Sequence, residues 1–230
     1  MKKPIIKIVD MEYTYPGTSK VIIKKFSQEL NSGEVLGVVG RNGVGKSTLM
    51  RLLAGLHQPV NGNIFINDID SQNSSNRKEY LQNFCYISHD KILLGDYTIS
   101  EYFNFYSCLY PNYSKEIEKS LVESFHLDYS EKISNLSTGN KIKVYVLFAL
   151  AAQVQLIIAD EITAVLDPEN REEFFELVLK FKNDGVTFII ATNIVDDLVN
   201  VADSVWFIDK GQIELMSTAN VVGMFKKKAS

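Results

Sequence analysis

The stretch Gly40-Arg41-Asn42-Gly43-Val44-Gly45-Lys46-Ser47-Thr48 constrains this chain more than any other. It follows the apolar run Val35-Leu36-Gly37-Val38-Val39 and precedes Leu49, Leu52, Leu53 and Leu56 at helical spacing, so the order reads strand, glycine-rich loop, helix. Glycines let backbone N–H groups turn inward around a polyphosphate, and the positive end of the following helix faces the same anion. Lys46 is placed to reach the β- and γ-phosphates, Ser47 to put a hydroxyl on Mg²⁺, and Thr48 to begin the helix. A nucleoside triphosphate, ATP in the first instance, is the ligand such a loop implies.

The chain has 230 residues, 46% of them hydrophobic, enough to bury a full core. One α/β domain over residues 1–230, with an insertion, fits that length. A net charge of −4 supplies no basic face for nucleic acid, and Lys226, Lys227 and Lys228, the densest basic run, read as a solvated tail. The longest apolar stretch, Val144 to Ala152, falls far short of the roughly 20 residues that cross a bilayer. Met1-Lys2-Lys3-Pro4 leads into a strand and lacks a signal-peptide core. The expectation is a cytoplasmic chain, peripheral at the inner face of the membrane through a partner. Cys85 and Cys108 have neither metal-ligand nor redox spacing and read as reduced core residues.

Strands are expected at Ile5 to Met11 and Val21 to Leu30, an N-terminal antiparallel β region, then at Ile64 to Ile66 and Phe84 to Ile87. Between Thr98 and Ile133 the pattern turns helical and aromatic, with Tyr102, Phe105, Tyr106 and Leu109 before Pro111, then Ile117, Leu121, Val122 and Phe125. A helical insertion over about residues 90–135 follows from it. Helices are expected at Thr138 to Ala152, Glu169 to Lys182 and Val195 to Val201. Strands are expected at Leu156 to Ala159, Thr187 to Ala191 and, last, Ser204 to Ile208, ending at Lys210-Gly211. The alternation implies a P-loop NTPase core, a mainly parallel sheet with helices on both faces.

Leu156-Ile157-Ile158-Ala159-Asp160-Glu161 is an apolar strand ending in two carboxylates. Asp160 is placed to hold Mg²⁺, directly or through water, and Glu161 to orient or deprotonate an attacking water. Upstream, Leu136-Ser137-Thr138-Gly139-Asn140 opens a helix that Ser137 can cap, leaving N–H groups at its N-terminus for an anion. With these motifs in this order, the chain resembles the ATP-binding subunit of an ABC transporter, from Tyr15 to the Lys210-Gly211 turn. In that family a Leu-Ser-Gly-Gly-Gln signature of one subunit closes over ATP held by the phosphate loop of another. The resemblance implies an ATPase that dimerises with itself or with another ATP-binding subunit and powers a transmembrane permease subunit. It makes Ser137 and Gly139 contacts to the partner's ATP, Asp167 of Leu166-Asp167-Pro168 a link between the two ATP sites, and Tyr15 the ring that stacks on adenine, with Tyr13 as the neighbouring alternative. Tyr110 to Ser114 with Ile133 to Gly139 look most like subunits of small bacterial exporters of drugs or antimicrobial peptides.

The chain departs from the family pattern in three places. Thr138 and Asn140 stand where the signature has glycine and glutamine, while Ser137 and Gly139 are kept. His89 falls where the family has a glutamine contacting metal or water; a neutral imidazole could take that place, and an exposed loop histidine is the other reading. Asn193, after Ala191-Thr192, replaces a histidine that contacts the γ-phosphate. It can donate an N–H there but carries no charge and shuttles no proton. A slow ATPase follows, with an ATP-gated regulatory module of weak hydrolysis as the alternative.

Overall fold

The computed structural model describes residues 3–88 and 95–229, with side chains through Met224. The chain opens with β1 (Pro4–Thr14) and β2 (Val21–Asn31), then β3 (Val35–Gly40), which leads through the glycine-rich loop into α1 (Lys46–Leu53). There follow β4 (Asn61–Ile66), β5 (Ile69–Asp70), α2 (Arg77–Gln82) and β6 (Phe84–Ser88). The helical stretch is α3 (Ile99–Ser107) and α4 (Lys115–Ser124), succeeded by α5 (Thr138–Ala151) and β7 (Leu156–Asp160). The chain then runs through α6 (Pro168–Asn183), β8 (Thr187–Thr192), β9 (Ser204–Asp209), β10 (Gln212–Met216) and α7 (Thr218–Ala229).

Among the described residues the strands form two sheets. One is antiparallel in the order β2-β1-β4-β5; the other runs β10-β9-β3-β8-β7-β6 and is parallel except for the β9–β10 hairpin. The central strands β3, β7 and β8 are buried throughout, as expected where both faces of a parallel sheet are covered. Their side chains divide by the two-residue period of a strand. Leu36, Val38, Leu156, Ile158, Ile189 and Ala191 join α1 and the antiparallel sheet in one core. Val35, Val39, Ile157, Ala159, Phe188 and Ile190 join the helices of the other face. That second core also takes Phe103 of α3, Leu121 and Val122 of α4, and Leu147 of α5, so the helical insertion shares its apolar interior with the parallel sheet.

The helix that carries the loop residues is therefore clamped between two sheets. Its C-terminal end and the turn that leaves it are held by α2: the Tyr80 hydroxyl donates to Leu53 O at 2.6 Å and Arg77 Nη2 to Gly55 O, just past the helix, at 2.6 Å.

Three expectations are corrected. The first helix begins at Lys46, two residues before Thr48. The helix expected over Val195 to Val201 is a single 3₁₀ turn, Val195–Leu198: Ile194 supplies no capping side chain, and three β-branched valines in seven residues resist helix. The chain does not stop its sheet at Lys210-Gly211. Both residues adopt positive φ, the hairpin geometry that turns β9 back into β10.

Replacing Tyr80 by Phe removes the donor from the buried Leu53 carbonyl while keeping the ring. The expected loss is about 1–3 kcal/mol in urea unfolding with an unchanged slope. A loss near zero would mean that water reaches that carbonyl.

Candidate functional site

The loop between β3 and α1 sets the site's frame. Gly45 takes φ 115°, a left-handed value that an L side chain rarely adopts, and offers no side-chain cap to the helix it precedes. The first N–H groups of α1 are thus left for an anion. Lys46 is almost wholly buried, 3% exposed. Its ammonium donates to Gly40 O at 3.0 Å and Arg41 O at 3.4 Å and pairs with Glu161 Oε1 at 3.0 Å. Arg41, Asn42 and Gly43 form the loop's exposed tip.

Asp160 and Glu161 reach this loop because β7 lies one strand beyond β8, next to β3. Asp160 is buried, and its two oxygens are both engaged: Ser47 Oγ donates to Oδ1 at 3.0 Å and the Tyr86 hydroxyl to Oδ2 at 2.9 Å. Burial raises its pKa above the usual carboxylate range; the hydrogen bonds from Tyr86 and Ser47 oppose that. Glu161 adopts φ 53°, uncommon for a residue other than glycine, and its N–H donates to Ala191 O at 3.0 Å at the end of β8. Backbone geometry thus turns the Glu161 side chain toward Lys46.

Tyr15 closes the other side, its hydroxyl 2.8 Å from Thr48 Oγ1. It lines two adjoining cavities: one of about 260 Å³ with Gly45, Lys46, Ser47 and Glu161, and one of about 780 Å³ with Pro16, Gly17 and His57. Tyr13 is buried, stacked on His57 at 5.5 Å with Tyr15 edge-on to both rings, so Tyr15 is the more accessible of the two tyrosines.

Asn193, exposed at the end of β8, places Nδ2 3.5 Å from Asn42 Oδ1 and so stands over the loop's tip. His89 lies outside the described residues. The preceding Ser88 pairs in register with Asp160.

Ser137, Gly139 and Asp167 form a separate group. Ser137 Oγ accepts from the Asn140 N–H at 3.2 Å and caps α5, while Asp167 caps α6 by accepting from Asn170 N at 2.9 Å and Asn170 Nδ2 at 2.7 Å. These hydrogen bonds hold the Asp167 carboxyl below its ordinary pKa. The Asn170 side chain packs so closely on Gly139 that a Cβ there would sit 2.5 Å from it. Among the described residues the polar contacts of this group run within it and not to Lys46. Ser137 and Asp167 face solvent.

Three residues of the assembly have no motif to mark them. Tyr86 and Arg51 stand beside Asp160. Arg171 donates to Thr163 O at 3.2 Å and Leu166 O at 3.1 Å and pairs with Asp197 at 3.6 Å, joining the loop after Glu161 to the turn after Asn193. Only the strand order and register could have revealed the first pair.

Ser47 and Asp160 place a hydroxyl beside a carboxylate, the hard oxygen donors that suit Mg²⁺. No cluster of three or more His, Cys, Asp or Glu placed to hold a metal occurs among the described residues.

The ABC transporter family model matches residues 23–164. The methionine import ATP-binding protein MetN of Francisella tularensis subsp. holarctica (strain OSU18) is 31% identical over 219 residues, 92% of this chain; the chain spans 63% of that relative's length. The lipoprotein-releasing system ATP-binding protein LolD of Buchnera aphidicola subsp. Acyrthosiphon pisum is 35% identical over 84% of this chain and 90% of its own. Among solved structures, cbiO1 of Clostridium perfringens, part of the transporter complex cbiONQ, matches with a TM-score of 0.83 at 22% identity over 96% of this chain and 92% of its own. The ATP-binding cassette MJ0796, solved as a dimer bound to ADP and phosphate, matches with a TM-score of 0.81 at 19% identity over 93% of this chain and 98% of its own.

Burial raises the Asp197 pKa above 3.8, with Arg171 opposing, so the folded state binds that proton more tightly than the unfolded chain. The resulting stability is complete below the unfolded value and is lost as pH rises through the folded one. Unfolding free energies measured from pH 3 upward for Asp197→Asn and the parent should therefore diverge in favour of the variant as pH rises past 3.8, then run parallel. A constant difference across that range would show the carboxyl to be unperturbed.

Proposed function

The chain belongs to the ABC transporter family, and from that membership we propose that it is an ATP-binding, ATP-hydrolysing subunit that drives a membrane permease through ATP-dependent dimerisation. Lys46, Ser47 and Glu161 line one cavity, with Asp160 hydrogen-bonded to Ser47 behind it, and this convergence carries the reading. The group of Ser137 and Asp167, both exposed, with Gly139 buried beneath Asn170, supports the dimer, because it is organised and yet makes no polar contact with the chain's own Lys46 among the described residues. A second ATP-binding subunit, identical or not, would present that group to the phosphates.

Tyr15 would carry the adenine at the mouth shared by the two cavities. The N–H groups from Gly40 to Thr48 and the Lys46 ammonium would take the β- and γ-phosphates, with Lys46 exchanging Glu161 for phosphate oxygens. Ser47 and Asp160 would hold Mg²⁺, which supplies neutralisation of the developing phosphate charge. Glu161, released from Lys46, would accept a proton from the water that attacks the γ-phosphorus as the bond to ADP breaks. Asn193, above the loop tip beside Asn42, would donate to the γ-phosphate without adding charge, which keeps turnover low. His89 remains assigned, as a proposal, to the water or metal side of the site.

No described helix is long and apolar enough to cross a membrane. Membrane contact is proposed through the permease, with the chain on the cytoplasmic face. The helical part, residues 90–135, would act as the docking subdomain; a cavity of about 270 Å³ lined by Tyr102, Tyr106, Tyr110 and Tyr145 lies between it and β6.

Glu161→Gln should lower ATP turnover by about 10²–10⁴-fold while light scattering detects a dimer formed only with ATP. A variant that keeps parental turnover would remove Glu161 from the chemistry. In the same assay Asn193→His should raise turnover by about tenfold or more, because a potential cation returns to the γ-phosphate. An unchanged rate in that folded variant would show that Asn193 does not limit hydrolysis.

A further inference from the structure

The metal-holding carboxylate has a partner that no motif marks. Asp160 Oδ1 accepts from Ser47 at 3.0 Å, so its second oxygen, buried with it, needs a donor of its own. That donor is Tyr86, at 2.9 Å. The parallel register sets Tyr86 against Ile158 and Ser88 against Asp160, so Tyr86 sits diagonally to the carboxylate, on the sheet face that α1 covers. From α1, Ser47 and Arg51 lie one helical turn apart and address the same spot. Arg51 hydrogen-bonds the Tyr86 oxygen, which completes a relay from guanidinium to phenol to carboxylate. The same ring lines the aromatic cavity beside Tyr102, Tyr106 and Tyr110, which puts that cavity one side chain away from Asp160.

We propose that Tyr86 is a positioning residue for Mg²⁺: its hydroxyl fixes the plane of the Asp160 carboxylate so that Oδ1 stays beside Ser47 and faces the phosphates. The proposal rests on the reading of Ser47 and Asp160 as the metal's protein partners. A carboxylate that loses one of its two hydrogen bonds turns about its terminal torsion, which is broad and two-fold for Asp, and the oxygen pair beside Ser47 is no longer preorganised. Nucleotide contacts made by the loop backbone and Lys46 are untouched by that rotation. The signature of the role is a defect confined to the metal-dependent part of binding.

The test titrates a fluorescent ATP analogue into the full chain in EDTA, then titrates Mg²⁺ into the analogue-loaded protein. Tyr86→Phe keeps the ring and removes the hydroxyl. It should bind the analogue in EDTA as the parent does, need about three- to tenfold more Mg²⁺ for the half-maximal response, and lose kcat with little change in KM for ATP. Installing 3-fluorotyrosine at the same position keeps the hydroxyl and should restore the parental Mg²⁺ response. Equal weakening of binding with and without Mg²⁺ would assign Tyr86 a structural role only and overturn the proposal. A parental Mg²⁺ response in Tyr86→Phe would do the same. Asp160→Asn separates the two ideas: if that variant retains the parental response, the metal reading of Asp160 fails; if it loses the response while Tyr86→Phe keeps it, only the role of Tyr86 fails.

Discussion

The Lys46 ammonium is the interaction on which the rest of the site depends. A buried, unpaired cation is among the costliest groups a fold can carry, and this one is answered on three sides by Gly40 O, Arg41 O and Glu161. Two of those partners are carbonyls of the loop itself, so the side chain of the helix's first residue ties down the strand end and the loop it came from. The third is a carboxylate from another strand. Satisfying one charge therefore fixes the loop's curvature and brings β7 into register with the anion site. On the proposed reading an arriving phosphate competes with these partners for the ammonium. It displaces Glu161, and the same exchange that binds ATP uncovers the base.

That exchange needs a rigid frame, and α1 has one. A helix of eight residues is too short to hold itself in water, so its position is set by the two sheets between which it is packed and by the donors of α2 at its C-terminus. The Tyr15–Thr48 contact adds a tie from the residue after β1 to the first turn. Phosphate loop, metal-side oxygens and the aromatic mouth are thus each borne by a different element meeting at one helix end. The parallel sheet adds direction, since β3, β7 and β8 all present their C-terminal ends at this edge, the edge where open α/β sheets take their ligands.

What the sequence disclosed follows the range of the interactions. Gly40 to Thr48 and Leu156 to Glu161 are local patterns in which the chemistry and the chain order coincide, and both were readable as strand ends bearing functional groups. The fold class was readable for the same reason, through the alternation of apolar strands with helical spacing. Tyr86, Arg51 and Arg171 were not, because their partners lie on strands or turns whose adjacency depends on sheet order. Tyr86 looks like one more aromatic residue in Phe84-Cys85-Tyr86-Ile87 until β6 is set beside β7. The turn at Val195–Leu198 misled in the opposite sense. Its apolar spacing fits a helix, yet the valines and the lack of a cap leave the outcome to the packing of Val195 and Leu198 and to the short return into β9. The hairpin at Lys210-Gly211 is not legible as one, because a glycine turn marks a reversal without saying whether another strand follows.

On the proposed reading Ser137, Gly139 and Asp167 form a second half-site, and Thr138 and Asn140 are its two departures from the family's signature. In this chain the signature segment is stabilised from below: Ser137 caps α5 through the Asn140 backbone N–H, and Asn170 bridges Gly139 to the Asp167 carboxylate. The capping contact uses the main chain of Asn140, so its side chain carries none of that load. Thr138 occupies the first helical position, where an exposed side chain meets solvent and not the core. Gly139 is the tight position, because a Cβ there would sit 2.5 Å from the Asn170 side chain and force it to shift. The Ser137–Asp167 surface is in effect one unit built on two helix N-termini, α5 and α6, whose positive ends lie side by side with their caps in place. On the proposed reading the substitutions alter what this unit shows to a partner's γ-phosphate while leaving its shape intact. On that reading Asn193 lowers turnover at the chain's own site, while the face built on Ser137 and Gly139 keeps the means to form the interface.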